Sequence, residues 1–329
     1  MTSRERFRET MRFGAPDRAP LFEEGLRDGV LERWRGEGLP EGADLAGIFE
    51  YDRRERIDLD LTPRPPVEQW PKARRDLGEL RRRFDPDDPG RLPQDWAKRV
   101  SAWRGRDHLL ELYLHPGFFQ AMGVGGWGRF EEVVYQLADD PVLVRDILDL
   151  RSNLAARMAE RVLSEVDVDF VSFSEPSGGN NGPILSPRQY REVVLPSYRL
   201  ILDAVRRHGV QTIMFIAYAN PRPLLADVFE AGFNCLWACE VNMETMDYGE
   251  LRRTFGRSLR LIGGIDLDAV LGGPEAIRSE IERKVPHLLA QGGYIPLADG
   301  RVRENVPFRD YAFYRRLLEE TVRGHGRGA

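Results

Sequence analysis

The chain has 329 residues, 42% hydrophobic and 31% charged, the balance of an ordinary globular enzyme with enough length for a large core. A formal net charge of -5 and a pI of about 5.7 offer no basic surface for nucleic acid or an anionic membrane. The two cysteines, Cys235 and Cys239, exclude a disulfide framework.

The opening MTSRERFRETMRFG lacks the apolar centre of a signal peptide, and no run of apolar residues is long enough to span a membrane. A cytoplasmic protein is expected. The basic residues are nearly all arginine, with lysine only at 72, 98 and 284, which fits a compositional bias.

Short apolar runs recur along the chain. They are APLFEE (19–24), LLELYLH (109–115), VDFVSFSE (168–175), TIMFIAY (212–218), NCLWACE (234–240), LRLIGGID (259–266) and GYIPLAD (293–299). Near-continuous runs fit parallel strands buried on both faces. RIDLDL (56–61) would supply an eighth strand. Residues 64–107 are richer in Pro, Arg and Asp and read as a helical insertion. Asp140-Pro141 opens a helix that runs to Val166. Ser186-Pro187-Arg188-Gln189 reads as a capping box with proline in the first turn. Asn220-Pro221 opens the next helix and Gly232 closes it.

Strand and helix therefore alternate from 166 to 299, which predicts an α/β fold, a (β/α)8 TIM barrel forming a single domain over 1–329. A doubly wound sheet is the alternative, and the lack of GxGxxG after an early strand disfavours it.

Barrel active sites lie at the C-terminal strand ends. Those ends supply Glu23 and Glu24, His115, Glu175, Tyr218 with Asn220, Glu240, Asp266, and Asp299 with Arg301 and Arg303. Strand ends are often polar merely because water reaches them, so the cluster carries more weight than any member. The loop SEPSGGNNGP (174–183) could present amide groups to an anion, close over a ligand, or simply connect elements. On one strand, Cys235 and Cys239 would stand about 13 Å apart at ~3.3 Å per residue, too far to share a zinc ion. They read as buried structural thiols. Of the histidines, His115 alone is expected at the mouth, while His208 falls at a helix end. HExxH, a P-loop and a Ser-His-Asp order are all missing from the sequence.

RERFRETMRFGAPDRAPLF at the start, RWRGEGLP (33–40), LADDPVLVRDIL (137–148), SPRQYREVVLPSYRLILDAVRRHG (186–209) and LIGGID (261–266) follow one another at a familiar spacing. In that order the chain resembles the uroporphyrinogen decarboxylase superfamily, which also holds zinc-dependent methyltransferases acting on corrinoid proteins. The resemblance spans nearly the whole chain and implies a (β/α)8 barrel, often a homodimer. The decarboxylases carry R-Q-A-G-R-Y after the first strand, where two arginines hold substrate carboxylates. Here that place reads LFEEGLRDG (21–29), and only Arg27 can stand in. Two glutamates there would oppose a substrate with many carboxylates. The decarboxylase aspartate that stabilises a protonated pyrrole is matched by Asp52 in IFEYD (48–52). A histidine near the family's last strand is replaced by Asp299, and a tyrosine expected after LYLHPGFF has no match. The methyltransferases place His-x-Cys before a G-N step. On FIAYAN those positions are Ile216 and Tyr218, and the third ligand falls near Asp299 or Gly300.

The resulting expectation is a metal-independent lyase, a decarboxylase acting on a carboxylated small molecule, with no cofactor. Asp52, Tyr218 and Asp299 would be catalytic. Glu23, Arg27, His115, Glu175, Asn220, Glu240, Asp266, Arg301 and Arg303 would bind substrate. One alternative is methyl transfer with a corrinoid protein or thiol acceptor, through a metal site drawn from Glu23, Glu175, Glu240, Asp266 or Asp299. Another is a barrel that binds without catalysis. The expected partners are a small molecule and a second copy of the chain, with neither nucleic acid nor membrane.

Overall fold

The computed structural model describes residues 1–179, 181–241 and 245–326. By its internal contacts the chain divides into two compact units. One comprises Met1–Arg54, Asp107–Leu109 and Cys235–Ala329, and the other Glu55–Arg106 and Leu110–Asn234. Among the described residues no helix is long and apolar enough to cross a membrane.

The second unit is built on parallel strands. Leu109–His115 pairs with Phe170–Glu175, with Leu112 opposite Val171, and Phe170–Glu175 pairs with Ile213–Tyr218, with Phe173 opposite Phe215. Most of their residues are buried, which is why the sequence shows runs rather than alternation. A register shift between Tyr113 and His115 turns His115 onto the side chains of Phe173 and Tyr198. The helix Pro141–Glu165 starts as expected, with the Asp140 side chain accepting from the Leu143 amide at 3.0 Å. It packs along Leu195–Arg207.

The capping box at Ser186 and Gln189 is present. The single helix expected after it is instead interrupted by a π-turn at Tyr190–Val194. Pro196 follows that turn; it has no N–H to continue an α-helical ladder. Gly232 ends Leu225–Ala231 at φ 115, in the left-handed conformation that glycine adopts freely.

The RIDLDL run forms a strand two residues early, at Arg54–Asp58. Residues 64–107 contain the helices Leu77–Arg83 and Trp96–Trp103. The buried Arg91 holds the neighbouring loops by donating to the carbonyls of Asp85 (3.0 Å), Asp60 (3.1 Å), Arg83 (2.7 Å) and Thr62. Gly178–Gly179 and Gly182–Pro183 pair antiparallel within the glycine-rich loop. Asn180 of that loop, and residues 327–329 of the C-terminal RGHGRGA, lie outside the described residues.

The first unit holds the parallel strands Cys235–Cys239, Arg260–Ile262 and Tyr294–Ile295. The last two are shorter than their apolar runs, because Gly263 and Gly264 take positive φ and Pro296 cannot donate to a ladder. Pairing resumes at an Ile265–Ala298 bridge. The expected strand at 19–24 does not form a ladder. Leu21 and Phe22 are buried, and after Gly25 at φ 120 the chain pairs only through a Leu26–Val302 bridge.

Arg91→Ala should cost roughly 3 kcal/mol, since several carbonyls lose a charged donor at once. Urea unfolding tests this, and native-state hydrogen exchange should show opening concentrated at 60–91. A loss below about 1 kcal/mol would mean that water replaces the guanidinium without penalty.

Candidate functional site

In the first unit, three loops are tied together by backbone bonds. The Arg27 amide donates to the Val302 carbonyl and the Val302 amide to the Gly25 carbonyl, both at 2.9 Å. The Asp299 amide donates to the Ile265 carbonyl at 2.8 Å. These bonds set Glu24, Asp299 and three arginines on adjoining turns. Cys239 and Glu240 end the neighbouring strand, and Glu240 sits at φ 51, a conformation costly for a residue other than glycine.

Asp299 is buried and accepts from the Gly264 amide at 2.9 Å, while its other oxygen has no partner. Burial pushes its pKa well above the ordinary carboxyl range, with Glu24 and Asp266 adding to the shift. Glu24 behaves alike: burial raises it, against hydrogen bonds from the Cys239 thiol and the Gly300 amide. One Glu24 oxygen is likewise buried without a partner. Cys239 is held as a thiol, raised by burial and by both acids.

The glycine pair makes this arrangement possible. A Cβ on Gly263, at φ 107, would stand 2.3 Å from Asp299 Oδ1 and 3.0 Å from the Tyr248 hydroxyl. Tyr248 in turn donates to the Ile262 carbonyl at 2.7 Å and accepts from the Ala238 amide at 3.2 Å.

A cavity of about 630 Å³ opens on the same unit, lined by Arg27, Asp28, Arg301, Arg303, Glu304 and Asn305. The three arginines named from the sequence thus converge on one space. Arg27 is bound to Glu240 at 2.6 and 2.8 Å. Arg303 contacts Asp268 at 3.1 Å and Glu240 at 3.8 Å. Arg301 is exposed and makes neither hydrogen bond nor ion pair among the described residues.

The structure gives the other first-unit candidates different work. Of the EE pair, Glu23 was the expected substrate ligand, yet its carboxylate is taken by Tyr311 (3.0 Å), Arg315 (3.2 Å) and the Glu24 amide (3.0 Å). Adjacent residues in an extended segment point to opposite sides, so one glutamate of the pair had to turn inward. The expected repulsion of an anionic substrate is weakened, because Glu23 pairs with Arg315 and burial raises the pKa of Glu24. Asp52 is 5% exposed, and both its oxygens are engaged, by Arg6, by Arg18 at 2.6 Å and by the Leu21 amide at 2.8 Å. That is a structural clasp among the described residues, with both oxygens turned to internal donors. Asp266 caps Leu267–Leu271 by accepting from the Asp268 amide at 2.8 Å.

In the second unit, His115 and Glu175 are both buried. The His115 Nδ1 accepts from the Gly117 amide at 3.0 Å, and burial, with Arg151 nearby, pushes its pKa well below the ordinary imidazole range. Glu175 accepts from the Phe118 amide at 3.0 Å and from the hydroxyls of Tyr190 (3.1 Å) and Tyr198. The pair locks the turn after Leu109–His115. Asn220 is also buried; it accepts from the Arg222 amide at 3.3 Å, and its own amide donates to the Gly179 carbonyl at 3.3 Å. Tyr218 is half-buried and precedes Ala219 at φ 57. A Cβ on Gly178 would come within 2.2 Å of the Tyr218 carbonyl, so the glycine loop must pass there bare.

The zinc positions of the corrinoid-linked relatives do not fit that metal here. Ile216 offers no donor, and among the described residues no group of three or more His, Cys, Asp or Glu side chains could hold an ion. Both cysteines are free and buried, with Cys235 pushed up to about 12 by burial.

Fold and site together define an α/β protein with an arginine-lined cavity beside buried acids. The uroporphyrinogen decarboxylase (URO-D) family model matches residues 119–296, more than half of the chain, and the chain belongs to that family of enzymes. It is 24% identical over 325 residues to a uroporphyrinogen decarboxylase of Pseudomonas savastanoi pv. phaseolicola, covering 94% of this chain and 82% of that one. It is 26% identical over 303 residues to that of Pseudomonas fluorescens, covering 87% and 77%. Its fold is similar to that of a methyltransferase from Methanosarcina mazei, with a TM-score of 0.64 at 15% identity over 97% of this chain and 99% of the other.

Sequence reasoning missed Cys239 as a neighbour of Glu24, and Tyr248, Arg315, Arg6 and Arg18 as supports. Only the LFEEG doublet carried a signal, through its alternation.

Two outcomes follow. An Asp299 carboxyl that ionises near pH ~4 when unfolded but stays neutral in the fold contributes stability below that pH and loses it as pH rises. Asp299→Asn should therefore match wild type at about pH 4 and exceed it toward about pH 8, read by urea unfolding across that range. A parallel pH dependence in both proteins would contradict the buried neutral acid. Asp52→Asn should lose about 3 kcal/mol by uncompensating two buried arginines, and a loss under about 1 kcal/mol would contradict the clasp.

Proposed function

We propose that the protein is a carboxy-lyase acting on a small molecule with more than one carboxylate, and that its chain forms the (β/α)8 barrel expected of the family. The observation that carries this reading is an arginine-lined cavity on the same turns, 24–27 and 299–303, as two buried acids whose pKa values burial raises. Guanidinium groups suit carboxylates, which they can bind in fork geometry. Arg301, with no competing partner among the described residues, is the first contact.

Decarboxylation breaks the bond from carbon to carboxylate, leaving CO2 and an electron pair on carbon. That pair needs a proton. Asp299 is the group assigned to supply it, because burial pushes its pKa well above the ordinary carboxyl range; burial raises Glu24 beside Cys239 in the same direction. The acid donates its proton to carbon as its O–H bond breaks and a C–H bond forms; it becomes a carboxylate and recovers a proton from water.

The fold likeness to a methyltransferase supports a second reading, methyl transfer. It needs an activating group other than zinc at the relatives' positions, since Ile216 cannot bind one.

The test is anaerobic incubation with uroporphyrinogen III, separating products by carboxylate number. Turnover should appear. Asp299→Asn should lower kcat by roughly 10²-fold, and Arg301→Ala should act mainly on KM. No turnover beside an active control enzyme contradicts the porphyrinogen substrate, and unchanged kcat in Asp299→Asn contradicts its role as acid.

A further inference from the structure

Glu240 was expected to bind substrate, yet its carboxylate faces two of the cavity's own arginines. Arg27 Nη2 reaches its two oxygens at 2.6 and 2.8 Å, and Arg303 Nη2 lies 3.8 Å from Oε2. The backbone holds Glu240 there at φ 51, directly after the strand Cys235–Cys239. Gly300 takes φ 111, which favours glycine, and lies against the Glu240 side chain. A residue held at a costly φ thus delivers a carboxylate onto an arginine pair, the group that the cavity is read as binding.

We propose that Glu240 is a resident stand-in for a substrate carboxylate and sets the specificity of the site. The inference rests on the reading of the arginine cavity as the carboxylate site. A ligand with one carboxylate can be met by Arg301 alone. A second or third carboxylate must displace Glu240 from Arg27 and Arg303. The Arg27–Glu240 pair is well exposed, 43% and 29%, so water and salt weaken it and exchange is easy. While Glu240 is seated, the fraction of protein with all three arginines open falls, and apparent affinity falls with it. The pair therefore tempers the site's affinity for polycarboxylates, which must displace Glu240, and leaves a monocarboxylate held by Arg301 alone little affected.

The probes are 1,2,3-propanetricarboxylate and butyrate, titrated calorimetrically at fixed ionic strength into wild type, Glu240→Gln, Glu240→Gly and Arg301→Ala. Glu240→Gly suits the positive φ and guards against misfolding of the glutamine variant. Both Glu240 variants should bind the tricarboxylate about fivefold more tightly or better, with butyrate little changed. Equal or weaker tricarboxylate binding in both folded variants overturns the inference, since Glu240 would then be organising the arginines rather than competing for them. If wild type binds the tricarboxylate through Arg301 while Glu240 proves neutral, only this inference fails. If no folded form binds it, the carboxylate reading of the cavity fails as well.

Discussion

The structure of the candidate site depends on one carboxyl group held where water cannot solvate it. Asp299 sits on a turn fixed by the Ile265 carbonyl, and it meets the Gly264 amide through a gap that only glycine at 263 leaves open. Stripped of water and given a single amide donor, the carboxyl is more stable with its proton than without it. Burial also raises the pKa of Glu24 from another loop, on turns that carry arginines which cannot lose their charge. A site with fixed positive charge and a stored proton is suited to a substrate that arrives as an anion and leaves with a C–H bond in place of a carboxylate.

The acids that do not fit this role are equally informative. Asp52, Glu23 and Asp266 each spend their oxygens on named internal partners, Arg6 with Arg18, Arg315 with Tyr311, and the Asp268 amide. In the second unit, Glu175 does the same with two tyrosines and the Phe118 amide. A carboxylate satisfied by buried donors stabilises the scaffold and is poorly placed to exchange partners during a reaction. On the turns of the first unit's site, the groups with an unspent oxygen or cation among the described residues include Asp299, Glu24 and Arg301.

What the sequence revealed was local. The caps at Asp140 and Ser186 and the stop at Gly232 depend on residues within a few positions, and all appear where expected. The long strands Leu109–His115 and Ile213–Tyr218 were also clear, because burial on both faces writes continuous apolar runs. The shortened strands near 260 and 294 were less clear, since Gly263, Gly264 and Pro296 end pairing while the apolar run continues. Arg91, Arg315, Arg6 and Arg18 were invisible as internal supports, because an arginine reads as a surface residue until its carbonyls or carboxylates arrive from distant sequence. The site was legible in part: Arg27, Arg301 and Arg303 were named and line one cavity, whereas Asp299 lies buried, and the choice between Glu23 and Glu24 turns on which of two adjacent side chains faces inward.

The most direct measurement of the central claim is the infrared carboxyl spectrum of the purified protein at about pH 7, compared between wild type and Asp299→Asn. The account predicts a protonated carboxyl band in wild type that the variant loses. If wild type shows no protonated carboxyl at that pH, or if the variant keeps the whole band, Asp299 does not store the proton and the chemistry assigned to the site is wrong.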